Sequence, residues 1–160
     1  MKKIFLLAVV GMMLLSACGS ADAGHADGEG VEAHDFWARA AMKDGTGAAY
    51  MLLHNHGAED DALVGVSSDV AAAVEIHLSK MKDDGTMEMI QQESVALPAD
   101  GEVELKPGSY HIMFIGLTRD LNVGDEITLT LSFEHAEDIT LTIPVKDAAE
   151  MGGSGMDMNP

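Results

Sequence analysis

The sequence predicts a single all-β domain, an antiparallel β-sandwich or barrel, and three observations carry that prediction. Ile127, Leu129, Leu131 and Phe133 alternate with Thr128, Thr130 and Ser132, and Ile139, Leu141, Ile143 and Val145 alternate with Thr140, Thr142 and Pro144. This period of two gives each segment one apolar and one polar face. Turn signals separate the apolar runs at Lys43-Asp44-Gly45, Asn55-His56-Gly57, Asp83-Asp84-Gly85, Asp100-Gly101, Pro107-Gly108 and Val123-Gly124-Asp125. No stretch of the domain sustains a long helical period, and the span from Val31 to Val145 is long enough for one independent core.

Residues 1–17 read as an export signal. Lys2 and Lys3 precede an apolar run from Ile4 to Leu15 that is short for a membrane-spanning helix. The run ends at Leu15-Ser16-Ala17-Cys18, which resembles a bacterial lipobox. That resemblance implies lipidation of Cys18 and an extracytoplasmic protein anchored to a bacterial membrane, on the periplasmic side or the cell surface. Residues 18–30 then form the lipidated Cys and a small, polar, flexible tether, whose stretch from Gly19 to Gly30 reaches roughly 40 Å when extended. His25 in this tether reads as a solvated histidine.

Composition narrows the function classes. Cys18 is the only cysteine, so its lipidation leaves the folded domain without a thiol. A disulfide framework, a CxxC redox centre and a cysteine nucleophile are thereby excluded. Removing residues 1–17 also removes Lys2 and Lys3, and the formal charge of −18 becomes −20. Such acidity argues against nucleic acid or an anionic bilayer as an electrostatic partner.

Within residues 31–145 the strands expected before the two alternating ones are His34 to Arg39, Ala48 to His54, Ala62 to Ser67, Val74 to Leu78, Met87 to Gln92, Ser94 to Leu97, Glu102 to Leu105 and Tyr110 to Ile115. Pro144 predicts that the last strand lies at an edge or carries a bulge. Residues 146–160 lose the alternation and form a glycine-rich, flexible tail whose Met151, Met156 and Met158 are candidate auxiliary metal ligands.

The chemistry concentrates between His77 and Met113. His111 and Met113 are two residues apart in Tyr110-His111-Ile112-Met113-Phe114-Ile115, so on a strand they share a face. Met89 sits in Thr86-Met87-Glu88-Met89-Ile90, and His77 ends Val74-Glu75-Ile76-His77. Thioethers are soft and uncharged and suit Cu(I); imidazole accepts copper in either oxidation state; structural zinc favours thiolates. His54 and His56 form a further H-x-H pair, but it lacks a third ligand and Asn55-His56-Gly57 is good turn chemistry. Together with His34 and His135, near expected strand ends, these two are read as exposed histidines outside the metal site.

The spacing resembles the ligand pattern of the PCu(A)C family of periplasmic copper(I) chaperones: a His, an optional Met, ten residues, a Met, twenty-one residues, then His-x-Met. Here it runs His77, Leu78 in the optional position, ten residues to Met89, and twenty-one more to His111-Ile112-Met113. The register selects Met89 over Met87. The resemblance extends from about Asp35 to Val145, through Phe36-Trp37-Ala38-Arg39, Ala48-Ala49-Tyr50-Met51 and Leu121-Asn122-Val123-Gly124-Asp125. It implies a cupredoxin-like Greek-key sandwich, Cu(I) bound by His77, Met89, His111 and Met113, and delivery to a copper-accepting subunit of a respiratory haem–copper oxidase, at its CuA-type centre.

The residues themselves point to a carrier rather than an enzyme. There is no Gly-x-Ser-x-Gly elbow, no HExxH, no phosphate-binding glycine loop and no nucleophile paired with a base. The lack of a Cys ligand argues against blue-copper electron transfer, and a set of two His and two Met holds Cu(I) with neutral ligands only. Three alternatives stay open at this point: a copper buffer or resistance protein without a dedicated client, a copper redox enzyme, and a cell-surface interaction module.

Overall fold

The expected apolar runs become ten strands in the computed structural model, which describes residues 30–148. In chain order they are β1 (Val31–Arg39), β2 (Thr46–Asn55), β3 (Asp61–Ser67), β4 (Ala71–Met81), β5 (Met87–Gln92), β6 (Val95–Leu97), β7 (Gly101–Leu105), β8 (Tyr110–Leu117), β9 (Glu126–Phe133) and β10 (Ile139–Lys146). The signal, all of the tether but Gly30, Cys18, and the tail methionines Met151, Met156 and Met158 lie outside the described residues.

The two alternating segments pair with each other, from Ile139 against Leu131 to Pro144 against Glu126. Their apolar face closes on the core: Ile127, Leu129, Leu131, Ile143 and Val145 are buried, whereas Thr128, Thr140 and Thr142 face water. The hydrogen-bonded order is β5-β4-β8-β2-β1-β10-β9-β3-β6, with β7 also paired to β2. The half containing β2, β4 and β8 packs Ala49, Met51, Leu53, Ile76, Ile112 and Phe114 against Leu63, Leu97, Leu129, Leu131 and Phe133 of the other. Burying each such large side chain contributes about 1.5–3 kcal/mol. The result is the cupredoxin-like Greek-key sandwich, in which the last strand returns beside the first.

Two features depart from a plain antiparallel pattern. The join of the two halves, β1 with β10, is parallel and short, with Ala38 against Val145 and Arg39 against Lys146. Pro144 therefore does not mark an edge strand, because β10 lies between β1 and β9. Successive N–H groups point to opposite sides of a strand, and Val145 N–H donates to the Asp125 carbonyl on the β9 side at 2.8 Å. The proline nitrogen thus faces β1 one residue before that ladder begins, where no pairing bond is lost. Inside β1, His34 opposes Leu52 and Trp37 opposes Tyr50, so three steps on β1 match two on β2. Asp35, at φ 49°, lies within this bulge, and the shift keeps His34 and Trp37 on one face.

Phe114 is fully buried beneath the face that β8 shows to solvent. Phe114→Ala should destabilise the domain by about 3–5 kcal/mol, measured as a shift in the urea unfolding curve; a loss below about 1 kcal/mol would contradict this account of the core.

Candidate metal centre

The pairing of β4 with β8 places His77 directly opposite His111, their ring centroids 6.0 Å apart. Met113, two residues along β8, therefore shares their face, as does Glu75, its partner on β4. On the other side of β4, Ser79 opposes Met89 of β5, which puts Met89 on the same face, diagonal to His77. Ile76, Ile112 and Phe114 occupy the opposite, core-directed face. The four residues expected from the spacing thus lie on one face of three adjacent strands.

Each histidine has one ring nitrogen occupied by an acceptor. His111 Nδ1 lies 3.0 Å from the Ser109 carbonyl. A carbonyl only accepts, so Nδ1 carries the proton and Nε2 keeps the lone pair. The Ser109 carbonyl is fixed by the turn Lys106–Tyr110, where Gly108 takes φ 81° and Lys106 N–H donates to the Tyr110 carbonyl at 2.8 Å. His77 Nε2 lies 2.8 Å from a Glu75 carboxylate oxygen, and its Nδ1 is buried with no hydrogen-bond partner. A buried polar atom left unpaired costs about 1–3 kcal/mol. The donor set therefore fits a metal by its own chemistry: two oriented imidazoles, each with one nitrogen tied and one without a partner, beside two thioethers.

His111, Met113 and Met89 line a cleft of about 420 Å³ with Tyr50 and Met42; His77 is outside this lining, on the neighbouring strand. His111 is buried, whereas Met89 is 57% exposed, so the group runs from the interior of the face to solvent. Tyr50 packs between Trp37 and His111, with ring centroids 4.7 and 6.5 Å away. Burial pushes its phenol pKa up, partly offset by the Arg39 charge, so the ring stands beside the group as a neutral wall.

Several contributors were not picked out from the sequence. Met42, a thioether at the rim of the cleft, is supplied by the β1–β2 loop. Glu75 was readable as the same-face neighbour two residues before His77, but its hydrogen bond was not. Met87 shares the outer face with Met89 by alternation and opposes Met81. Leu78, in the optional methionine position, opposes Tyr110 and by the same alternation belongs to the other face. Among the histidines set aside, His56 and His135 are exposed, as expected, while His34 and His54 are partly buried within β1 and β2.

Residues 31–145 match the family described as "Putative lipoprotein LpqE-like". The chain is 30% identical over 119 residues to "Putative lipoprotein Lxx21020" of Leifsonia xyli subsp. xyli, covering 74% of this chain and 71% of that protein. Its fold is similar to the copper-bound PCuAC domain from PmoF2, with TM-score 0.61, 24% identity, and coverage of 73% of this chain and 92% of that one. It is also similar to the solution structure of CuI-DR1885 from Deinococcus radiodurans, with TM-score 0.53, 25% identity, and coverage of 72% and 79%.

The orphaned nitrogen gives a test of what His77 is for. In metal-free protein, His77→Leu should leave stability within about 1 kcal/mol of wild type or raise it, because it removes an unpaired buried polar atom. Chemical denaturation measures this, and a loss above about 2 kcal/mol would make the ring a structural element instead.

Proposed function

Given that the chain belongs to the LpqE-like lipoprotein family, we propose that it is an extracytoplasmic, lipid-anchored copper(I) chaperone of the PCu(A)C type. The observation that carries this reading is the gathering of His77, Met89, His111 and Met113 on one face of β4, β5 and β8. Two imidazoles and two thioethers form a neutral, soft set that favours Cu(I) over harder divalent ions. The comparison proteins support it, since the PmoF2 domain is copper-bound and DR1885 carries Cu(I). Copper here is cargo. In this reading Cys18 holds the anchor, and Met151, Met156 and Met158 offer auxiliary thioethers from the tail.

The proposed client is a copper-accepting subunit of a respiratory haem–copper oxidase with a CuA-type centre. Neutral thioethers hold Cu(I) less strongly than thiolates, whose charge adds to their softness. Transfer from this chain to a reduced dithiolate acceptor therefore runs downhill. The exposure of Met89 lets an acceptor ligand enter while the buried His111 still holds the metal. With no thiol in the domain, reduction of the acceptor's disulfide falls to another protein.

Anaerobic titration of the full chain with Cu(I) against a coloured chelator tests the site. His77→Ala, Met89→Leu, His111→Ala and Met113→Leu should each weaken binding, and Glu75→Gln, which alters only the outer partner of His77, should cost about 10-fold. Unchanged affinity in all four ligand variants would reject the assignment.

Delivery is tested by mixing the Cu(I)-loaded protein with reduced and with oxidised acceptor and following the metal after separation. Copper should move to the reduced acceptor alone. Retention in the presence of reduced acceptor would favour a buffer without a client.

A further inference from the structure

The bulged ladder between β1 and β2 assembles a second group of metal-ligating side chains. Glu32 opposes His54, and His34 opposes Leu52, so Glu32, His34 and His54 share one face; His56, two residues beyond His54, follows onto it. His56 Nε2 and His34 Nε2 converge on the same Glu32 oxygen, at 3.2 and 3.4 Å. One ligand atom from each of Glu32, His34 and His56 can be chosen so that all lie within 4.8 Å of one another. The His54 ring rests on His56 with centroids 3.8 Å apart, and Glu102 of β7 opposes His54. The H-x-H pair contributes His56, and the other two donors come from the neighbouring strand.

We propose that Glu32, His34 and His56 form a second metal site, for a borderline divalent cation and Cu(II) above others, separate from the His/Met centre. Two imidazole nitrogens and a carboxylate oxygen are harder donors than thioethers, and at such N/O sites Cu(II) binds above both Ni(II) and Zn(II) in the usual affinity order. The Glu32 carboxylate supplies, as a donor, the negative charge that a divalent ion requires and that none of the four His and Met donors carries, and Glu102 adds to the field from the adjacent strand. Two of the three donors sit on β1 and the third directly follows β2, so the chain need not fold around the ion to gather them. The two groups are separated along β2: Tyr50 stands beside His111, while His54 stands beside Glu32, four residues and roughly 13 Å further on. Each can be occupied without displacing a ligand of the other.

The test titrates the metal-free full chain with Cu(II) alone in a non-coordinating buffer, reading stoichiometry by calorimetry and nitrogen ligation by electron paramagnetic resonance. Wild type should bind Cu(II) with nitrogen hyperfine structure. The His34→Gln/His56→Gln double variant should bind this ion at least about 10-fold more weakly, and Glu32→Gln should weaken it as well. Cu(I) binding should be unchanged in the double variant, and Cu(II) binding unchanged in His77→Ala/Met113→Leu. That pairing separates failure of this site from failure of the Cu(I) reading. Zn(II) added to isotopically labelled wild type should shift amide signals at Glu32, His34 and His56, which checks the site without any substitution. Wild-type Cu(II) stoichiometry and affinity in the double variant, or Zn(II)-induced shifts confined to other residues, would overturn the proposal.

Discussion

The alternation of β8 is the constraint on which the rest of the site depends. Ile112 and Phe114 must point into the core, and once they do, His111 and Met113 have only the outer face to occupy. A slip of one residue would drive an imidazole and a thioether into the sandwich and expose an isoleucine and a phenylalanine, so the burial of the core also enforces the arrangement of the donors. The same register carries sideways. With β8 fixed, its ladder to β4 sets His77 against His111, and the β4–β5 ladder sets Met89 against Ser79. Hydrophobic packing on one face thus fixes the arrangement of the His and Met side chains on the other.

Backbone pairing positions the rings, and outer hydrogen bonds decide which nitrogen each one offers. His111 is committed by a carbonyl that belongs to its own hairpin turn, and His77 by the carboxylate two residues before it on the same strand. Both acceptors are local in sequence, so the orientation of the two imidazoles does not wait on long-range assembly. Tyr50 and Trp37 extend the same face toward β1, and the bulge at Asp35 keeps Trp37 on it. The burial of these rings shields one flank of His111, while Met89, Met42 and Met87 stay open to solvent.

Nearly all of the strand content was legible in the sequence because alternation and turn chemistry are local signals, and β5 was placed to the residue. Pro144 was misleading for a definite reason. The edge rule treats a strand as paired or unpaired along its whole length, whereas β10 meets β1 only at its last two residues, beyond the proline. That His111 and Met113 share a face followed from their two-residue spacing, whereas the approach of His77 and Met89 to them rests on the β4–β8 and β4–β5 registers, which spacing does not supply. Glu32, His34 and His56 escaped because their proximity is a cross-strand fact: which residue of β1 faces His54 depends on register, and a bulge at Asp35 shifts that register by one. The H-x-H pair announced itself, but its partner on β1 did not.

The two groups of donors sort by hardness along a single sheet, and this follows from which strands supply them. Thioethers enter through β5 and β8 and through the β1–β2 loop, with the Glu75 carboxylate of β4 bound to His77, while in the second group the carboxylates of β1 and β7 stand beside the histidines themselves. β2 runs between them, carrying Tyr50 beside the first group and His54 beside the second. Imidazole is common to both groups because it is acceptable to copper in either oxidation state, so the partners around it set the preference. Methionine partners favour the reduced ion without adding charge; a glutamate partner favours the divalent ion and neutralises part of it. A rigid β scaffold makes this distinction durable, because neither group can borrow a donor from the other without breaking a ladder that also holds the core.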